Sequence, residues 1–112
     1  MTRRQFEKLV RETLKALPKD IRQKLKNIDV VVEEGTGDED VLGQYEGVSL
    51  KDRGEGYSMV LPDKITLFKR AIEAECRETR RSVRGEIRDT VLHEIAHHFG
   101  ICDDRMDDLG VY

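Results

Sequence analysis

The feature that most constrains this chain is a pair of histidines, His93 and His97, separated by three residues. On an α-helix each residue turns the chain by about 100°, so these two side chains lie only about 40° apart on one face. Two imidazoles placed in this way can bind one metal ion, and Glu94 directly follows the first of them. The spacing therefore predicts a helix that carries a metal site.

The apolar residues of the same segment also favour a helix. Measured around the helix axis from His93, they fall between about 160° and 300°, on the side away from the histidine pair. We expect this apolar face to pack against the core and the histidine face to line a cleft. The alternative is that both histidines are ordinary surface or core residues. The apolar residues are Val91, Leu92, Ile95, Ala96 and Phe99.

The residues that follow the helix extend the motif to His-Glu-x-x-His-x-x-Gly-x-x-Asp. A helix can supply two ligands from one face but not the third, so the chain must turn beneath the metal, and Gly100 can adopt the φ > 0 that such a turn requires. Asp103 then becomes the third ligand of a tetrahedral site whose fourth position is open to water. Asp104 competes for that position, and Cys102 as a fourth ligand would close the site.

Glu94 is the candidate catalytic residue. It lies about 100° around the helix from His93, which is too far to bind the metal easily but close enough to contact a zinc-bound water. We expect Glu94 to take a proton from that water and to pass it to the departing amine. The alternative is a surface glutamate paired with His98. Zn²⁺ is the expected cofactor, although two histidines and a carboxylate also suit iron, cobalt and nickel.

With these residues in place, the sequence resembles the small bacterial zincin-like metallopeptidase family, which has a minimal protease fold. The similarity covers roughly residues 25 to 112, judged from short motifs. The motif segment is a close match, and two strand segments and the C-terminal segment also look like that family. These segments are His93–Ile101, Leu42–Gly47, Leu61–Phe68 and Asp103–Tyr112.

The resemblance implies a short mixed sheet, an active-site helix that carries His93, Glu94 and His97, and Asp103 as the third ligand. It also implies zinc-dependent hydrolysis of a peptide or unfolded protein segment. The motif resembles that of metzincins too, but those enzymes continue into a subdomain with a methionine turn, which this sequence is not expected to have. In larger zincins a peptide lies against a sheet edge above the metal, and any of the later strands could be that edge.

The rest of the chain predicts an α+β fold in one domain, residues 1–112. A capping box at Thr2 and Gln5 opens an N-terminal helix that Pro18 interrupts. A second helical stretch, a buried strand, an acidic loop and three further strands follow, and Ser82 is the expected N-cap of the final helix. The second helical stretch is Asp20–Lys26, the buried strand is Ile28–Val32 and the acidic loop is Glu33–Asp40. The three further strands are Val41–Tyr45, Tyr57–Leu61 and Lys64–Phe68, and a helical pattern begins at Ala71.

Composition limits the function classes. A net charge of −3 gives no general attraction to nucleic acid, and the arginines between 77 and 88 are interpreted as a solvated helix face. No segment is apolar enough for a signal peptide or a membrane span, so we expect a cytoplasmic protein that binds neither nucleic acid nor membrane.

The oligomeric state stays open. The alternative function is a zinc-binding domain with a structural or partner-binding role and little catalysis. Tyr45 and Tyr112 are candidates either for stabilising an oxyanion or for a structural role.

Overall fold

The computed structural model describes residues 1–47 and 63–97, together with the backbone of 98 and 99. Within these residues four α-helices accompany a small mixed sheet, which confirms the predicted α+β class. The strand expected at Tyr57–Leu61 lies outside the described residues, as does the turn expected at Gly100. The elements are α1 (Arg3–Lys15), α2 (Lys19–Lys24), a 3₁₀ turn (Leu25–Asn27), β1 (Ile28–Glu33), β2 (Gly43–Glu46), β3 (Asp63–Phe68), α3 (Lys69–Thr79) and α4 (Val83–Phe99).

Helix α1 begins at the predicted capping box. The Gln5 N–H donates to Thr2 Oγ1 at 3.1 Å, and the Thr2 N–H donates to Gln5 Oε1 at 2.8 Å. These two bonds satisfy backbone groups that a helix start would otherwise leave without partners. The helix ends at Lys15, before Pro18, and buries Phe6 and Val10 in the core.

The sheet has the strand order β1-β3-β2, with β1 parallel and β2 antiparallel to β3. Because β3 is central, its Ile65 and Leu67 are fully buried. The strand predicted at Val41–Tyr45 is present but shifted, since β2 runs from Gly43 to Glu46. The acidic loop before it is exposed, as predicted, although Glu33 still belongs to β1.

Helices α3 and α4 form the C-terminal half of the described structure. Helix α3 begins at Lys69, two residues before the predicted start, directly after β3. Ser82 caps α4 as predicted, because its Oγ accepts a hydrogen bond from the Gly85 N–H at 3.0 Å. Glycine in the first turn therefore does not prevent the helix from starting at Val83. In the described parts of the chain, none of the helices has the length and apolar character needed to cross a membrane.

The core lies between the helices and one face of the sheet. Val91, Leu92 and Ile95 of α4 are fully buried, and Ala96 packs against the same cluster. The apolar face predicted for this helix is thus the face that packs. The side chain of Phe99, the fifth residue of that face, lies outside the described residues.

Candidate metal centre

Helix α4 is oriented so that the histidine pair lies on the side away from the core. Since Val91, Leu92 and Ile95 are fully buried on the opposite side, His93 and Glu94 are half-buried and His97 is exposed. Side chains four residues apart on a helix have Cβ atoms about 5–6 Å apart. Two imidazoles at this separation, on an accessible face, fit the donor type and spacing that one zinc ion requires.

The remaining ligand is not among the described residues. The structure brings His93 and His97 to one helix face, but Asp103, Asp104 and Cys102 lie outside the described residues. Within 1–47 and 63–99, no group of three or more His, Cys, Asp or Glu residues could hold a metal ion. The two histidines fit zinc by their chemistry, and the assignment of Asp103 as the third ligand stays a prediction.

A charged cluster that the sequence analysis did not identify continues the histidine face toward the start of α4. Arg81 donates to Glu86 Oε2 at 3.2 Å and also pairs with Asp89. Glu86 and Asp89 lie within about 40° of His93 around the helix axis, two turns and one turn before it. The three-residue spacing of Glu86 and Asp89 on this helix face was the sequence signal that could have indicated the cluster. Arg81 is exposed as expected, but it joins two turns of the helix that carries the histidines.

Burial dominates the electrostatics of Glu86, which is only 6% exposed. Loss of solvent raises the pKa of its carboxyl group, and the charges of Asp89 and Glu75 raise it further. Arg81 and His93 act in the opposite direction without reversing the shift. A carboxyl group with a raised pKa therefore lies on the helix face that leads to the histidine pair.

Strand β2 passes very close to α4, at the turn before the histidines. A Cβ atom added at Gly43 would lie 2.7 Å from Thr90 Cγ2 and 3.2 Å from the Thr66 carbonyl oxygen. Thr90 is buried, and its Oγ1 has no hydrogen-bond partner among the described residues. Glycine at position 43 thus permits a close approach that brings β2 beside the histidine helix.

The strand order limits which of the three later strands could bind a peptide at the edge of the sheet. Strand β3 pairs on both sides, so it cannot accept another strand. Strand β2 is an edge strand within the described part of the chain, and it is the strand that approaches Thr90. The third candidate, Tyr57–Leu61, lies outside the described residues.

Tyr45 of β2 engages its hydroxyl group in a contact within the sheet. The hydroxyl donates to Asp63 Oδ2 at 2.5 Å. Burial raises the pKa of Tyr45 above its ordinary value, and the hydrogen bond and negative charge of Asp63 add to that effect. The contact joins β2 to the start of β3, which favours the structural role over the oxyanion role. Tyr112 lies outside the described residues.

A small mixed sheet packed against a helix that carries His-Glu-x-x-His defines a zincin-type protein. The model of the zincin-like metallopeptidase family matches residues 21–111, and the chain therefore belongs to that family. The match covers most of the chain and agrees with the extent of the resemblance seen in the sequence. No curated protein matches the chain.

Proposed function

We propose that this protein is a zinc-dependent peptidase in which His93, His97 and Asp103 hold the metal and Glu94 is the general base. The observation that carries the proposal is the orientation of α4, which buries Val91, Leu92 and Ile95 and leaves the histidine pair accessible. The family membership supports the same chemistry. The substrate is a peptide or an unfolded protein segment.

Zinc, when bound, lowers the pKa of a water molecule and polarises the scissile carbonyl group. His93 and His97 would hold the ion through ring nitrogens from one face of α4. Glu94, about 100° around the helix from His93, would not be a ligand and would act as the base for the attacking water. Its carboxylate accepts the water proton as the oxygen bonds to the carbonyl carbon. Glu94 then delivers that proton to the amine nitrogen as the C–N bond breaks.

Substrate binding requires an extended backbone beside the histidine helix. A peptide that adds as a strand to β2 gains main-chain hydrogen bonds whatever its side chains are. The close approach of Gly43 to Thr90 keeps β2 within reach of the turn that carries His93 and Glu94. This mode of binding favours unfolded segments over folded proteins.

The test is the substitution Glu94→Gln, which keeps the size of the side chain and removes its basicity. We expect the variant to bind one zinc ion per chain and to cleave an unstructured protein roughly 10²–10⁴-fold more slowly than wild type. Zinc content and cleavage rate are measured on the same preparation. Glu78→Gln, at an exposed position on α3, is the control and should cleave at the wild-type rate. Equal cleavage by Glu94→Gln and wild type would reject the proposal.

A further inference from the structure

A groove runs between α1 and the outer edge of β1, at the opposite edge of the sheet from β2. Two adjoining cavities of about 430 Å³ and 320 Å³ form it, and they share Leu14 and Val30. Leu14, Leu25 and Val30 are half-buried and form its apolar floor. Because β1 has six residues, the groove follows the strand for about 20 Å.

The strand edge in this groove has backbone groups available for pairing. Strand β1 pairs with β3 on one side, and no described strand pairs with it on the other. The Arg3 guanidinium donates to the Val32 carbonyl oxygen at 2.6 Å, so this carbonyl points away from β3. Alternate residues of a strand direct their N–H and C=O groups to the same edge, and those of Val30 therefore face the groove as well. An exposed edge of this kind is a template for another strand.

The rim of the groove is basic, although the whole chain has a net charge of −3. Five basic and two acidic residues line the two cavities, which gives a local charge of +3. Arg3 pairs with the acidic Glu7. The other four cations have no acidic partner among the described residues: Arg11, Lys15, Arg22 and Lys26.

We propose that this groove docks an extended acidic segment of a partner polypeptide, which adds to β1 as a further strand. The main chain of the segment pairs with the edge of β1 at Val30, to which no described strand is paired. Its apolar side chains contact Leu14 and Leu25, and its carboxylates reach the four cations on the rim. The combination of an open strand edge, an apolar floor and a basic rim matches an acidic peptide better than a nucleic acid, which needs only the basic rim. The groove is separate from the histidine face, so docking does not depend on the proposed peptidase activity.

The test measures binding of a fluorescent, end-capped peptide of about eight residues that contains only valine and glutamate. We expect it to bind wild type and Glu94→Gln equally when a chelator has removed the metal and cleavage is prevented, since docking in the groove does not require the histidine site. Arg11→Glu combined with Lys26→Glu should weaken binding roughly 10-fold or more, because two attractive charges become repulsive. Both residues are exposed, and circular dichroism checks that the variant is folded.

Matched controls separate the groove from general charge effects. Arg77→Glu combined with Arg84→Glu makes the same charge change at two exposed positions outside the groove and should leave binding unchanged. A peptide with lysine in place of glutamate should not bind, and a central proline should weaken binding because it removes a main-chain donor.

Three results would overturn the proposal. They are no binding of the acidic peptide, equal loss of binding in both double variants, and tighter binding of single-stranded DNA that depends on Arg11 and Lys26. A fourth overturning result would come from sedimentation of the unliganded protein. If wild type is a dimer and the Arg11→Glu, Lys26→Glu double variant is a monomer, the groove binds a second copy of the chain instead.

Discussion

At the scale of single residues, the main question is which carboxylate completes the histidine pair. Asp103 and Asp104 are adjacent, and the motif spacing favours Asp103. We expect Asp103→Asn to lower zinc affinity by about 100-fold or more, because the amide carries no charge and binds the ion poorly. Competition with a chromogenic chelator measures the affinity.

Asp104→Asn is the matched control for this prediction, since it makes the same change at the next position. Its zinc affinity should stay within a few-fold of wild type. If Asp104→Asn lowers the affinity while Asp103→Asn does not, the turn after α4 differs by one residue from the one that the motif implies.

Glu86 gives a pH-dependent prediction at the same scale. Burial raises its pKa above the ordinary value of 4.5, so the folded protein retains this proton at pH values where the unfolded chain has lost it. The contribution of Glu86 to stability is therefore fully present below about pH 4.5 and is lost as the pH rises through the folded-state pKa. Glu86→Gln removes this dependence. Relative to wild type, its free energy of unfolding should increase as the pH rises from about 4.5 through the folded-state pKa of Glu86.

Urea unfolding of the metal-free proteins measures the difference at each pH. Glu78→Gln is the reference because Glu78 is exposed, and its difference from wild type should not change with pH. A constant difference for Glu86→Gln as well would show that Arg81 fully offsets the cost of burial.

At the scale of elements, the approach of β2 to α4 leaves little room for a side chain at Gly43. A methyl group at Gly43 would lie 2.7 Å from Thr90 Cγ2, and a β-branched side chain has little freedom to move away. We expect Gly43→Ala to destabilise the protein by about 1–3 kcal/mol, measured by urea unfolding.

Two variants test the cause of that loss. Thr90→Ser removes the Cγ2 methyl group, so the double variant Gly43→Ala with Thr90→Ser should recover part of the stability. Gly47→Ala is the control, since its new Cβ would meet no atom closer than 3.5 Å. Equal destabilisation by Gly43→Ala and Gly47→Ala would mean that backbone freedom, rather than the close contact, explains the effect.

The elements also show what the sequence could and could not predict. Local signals were sufficient for the start of α1 at Thr2 and for the N-cap of α4 at Ser82, because each depends on bonds within three residues. The packed face of α4 followed from helical periodicity. The strand order β1-β3-β2 could not be predicted, since it depends on contacts between segments that are distant in sequence. The cluster of Arg81, Glu86 and Asp89 was missed because charged residues usually form a solvated face.

At the scale of the whole molecule, the histidine helix and the basic groove lie at different edges of the sheet. The histidine helix approaches β2, whereas the basic groove follows β1. With β3 between them, neither edge strand directly contacts the other within the described residues. The groove and the histidine face therefore have no lining residue in common within the described residues.

Zinc should also stabilise the whole molecule, because a small domain gains a large fraction of its stability from a bound metal. At a free zinc concentration of about 100 times Kd, binding adds about 2.7 kcal/mol, which corresponds to a rise in Tm of roughly 10 °C for a chain of this size. Differential scanning calorimetry with zinc or with a chelator measures the shift. His97→Ala should lose the shift while the metal-free protein keeps its Tm, since His97 is exposed. If His97→Ala shows the same rise in Tm with zinc as wild type, the stabilising metal binds elsewhere in the chain.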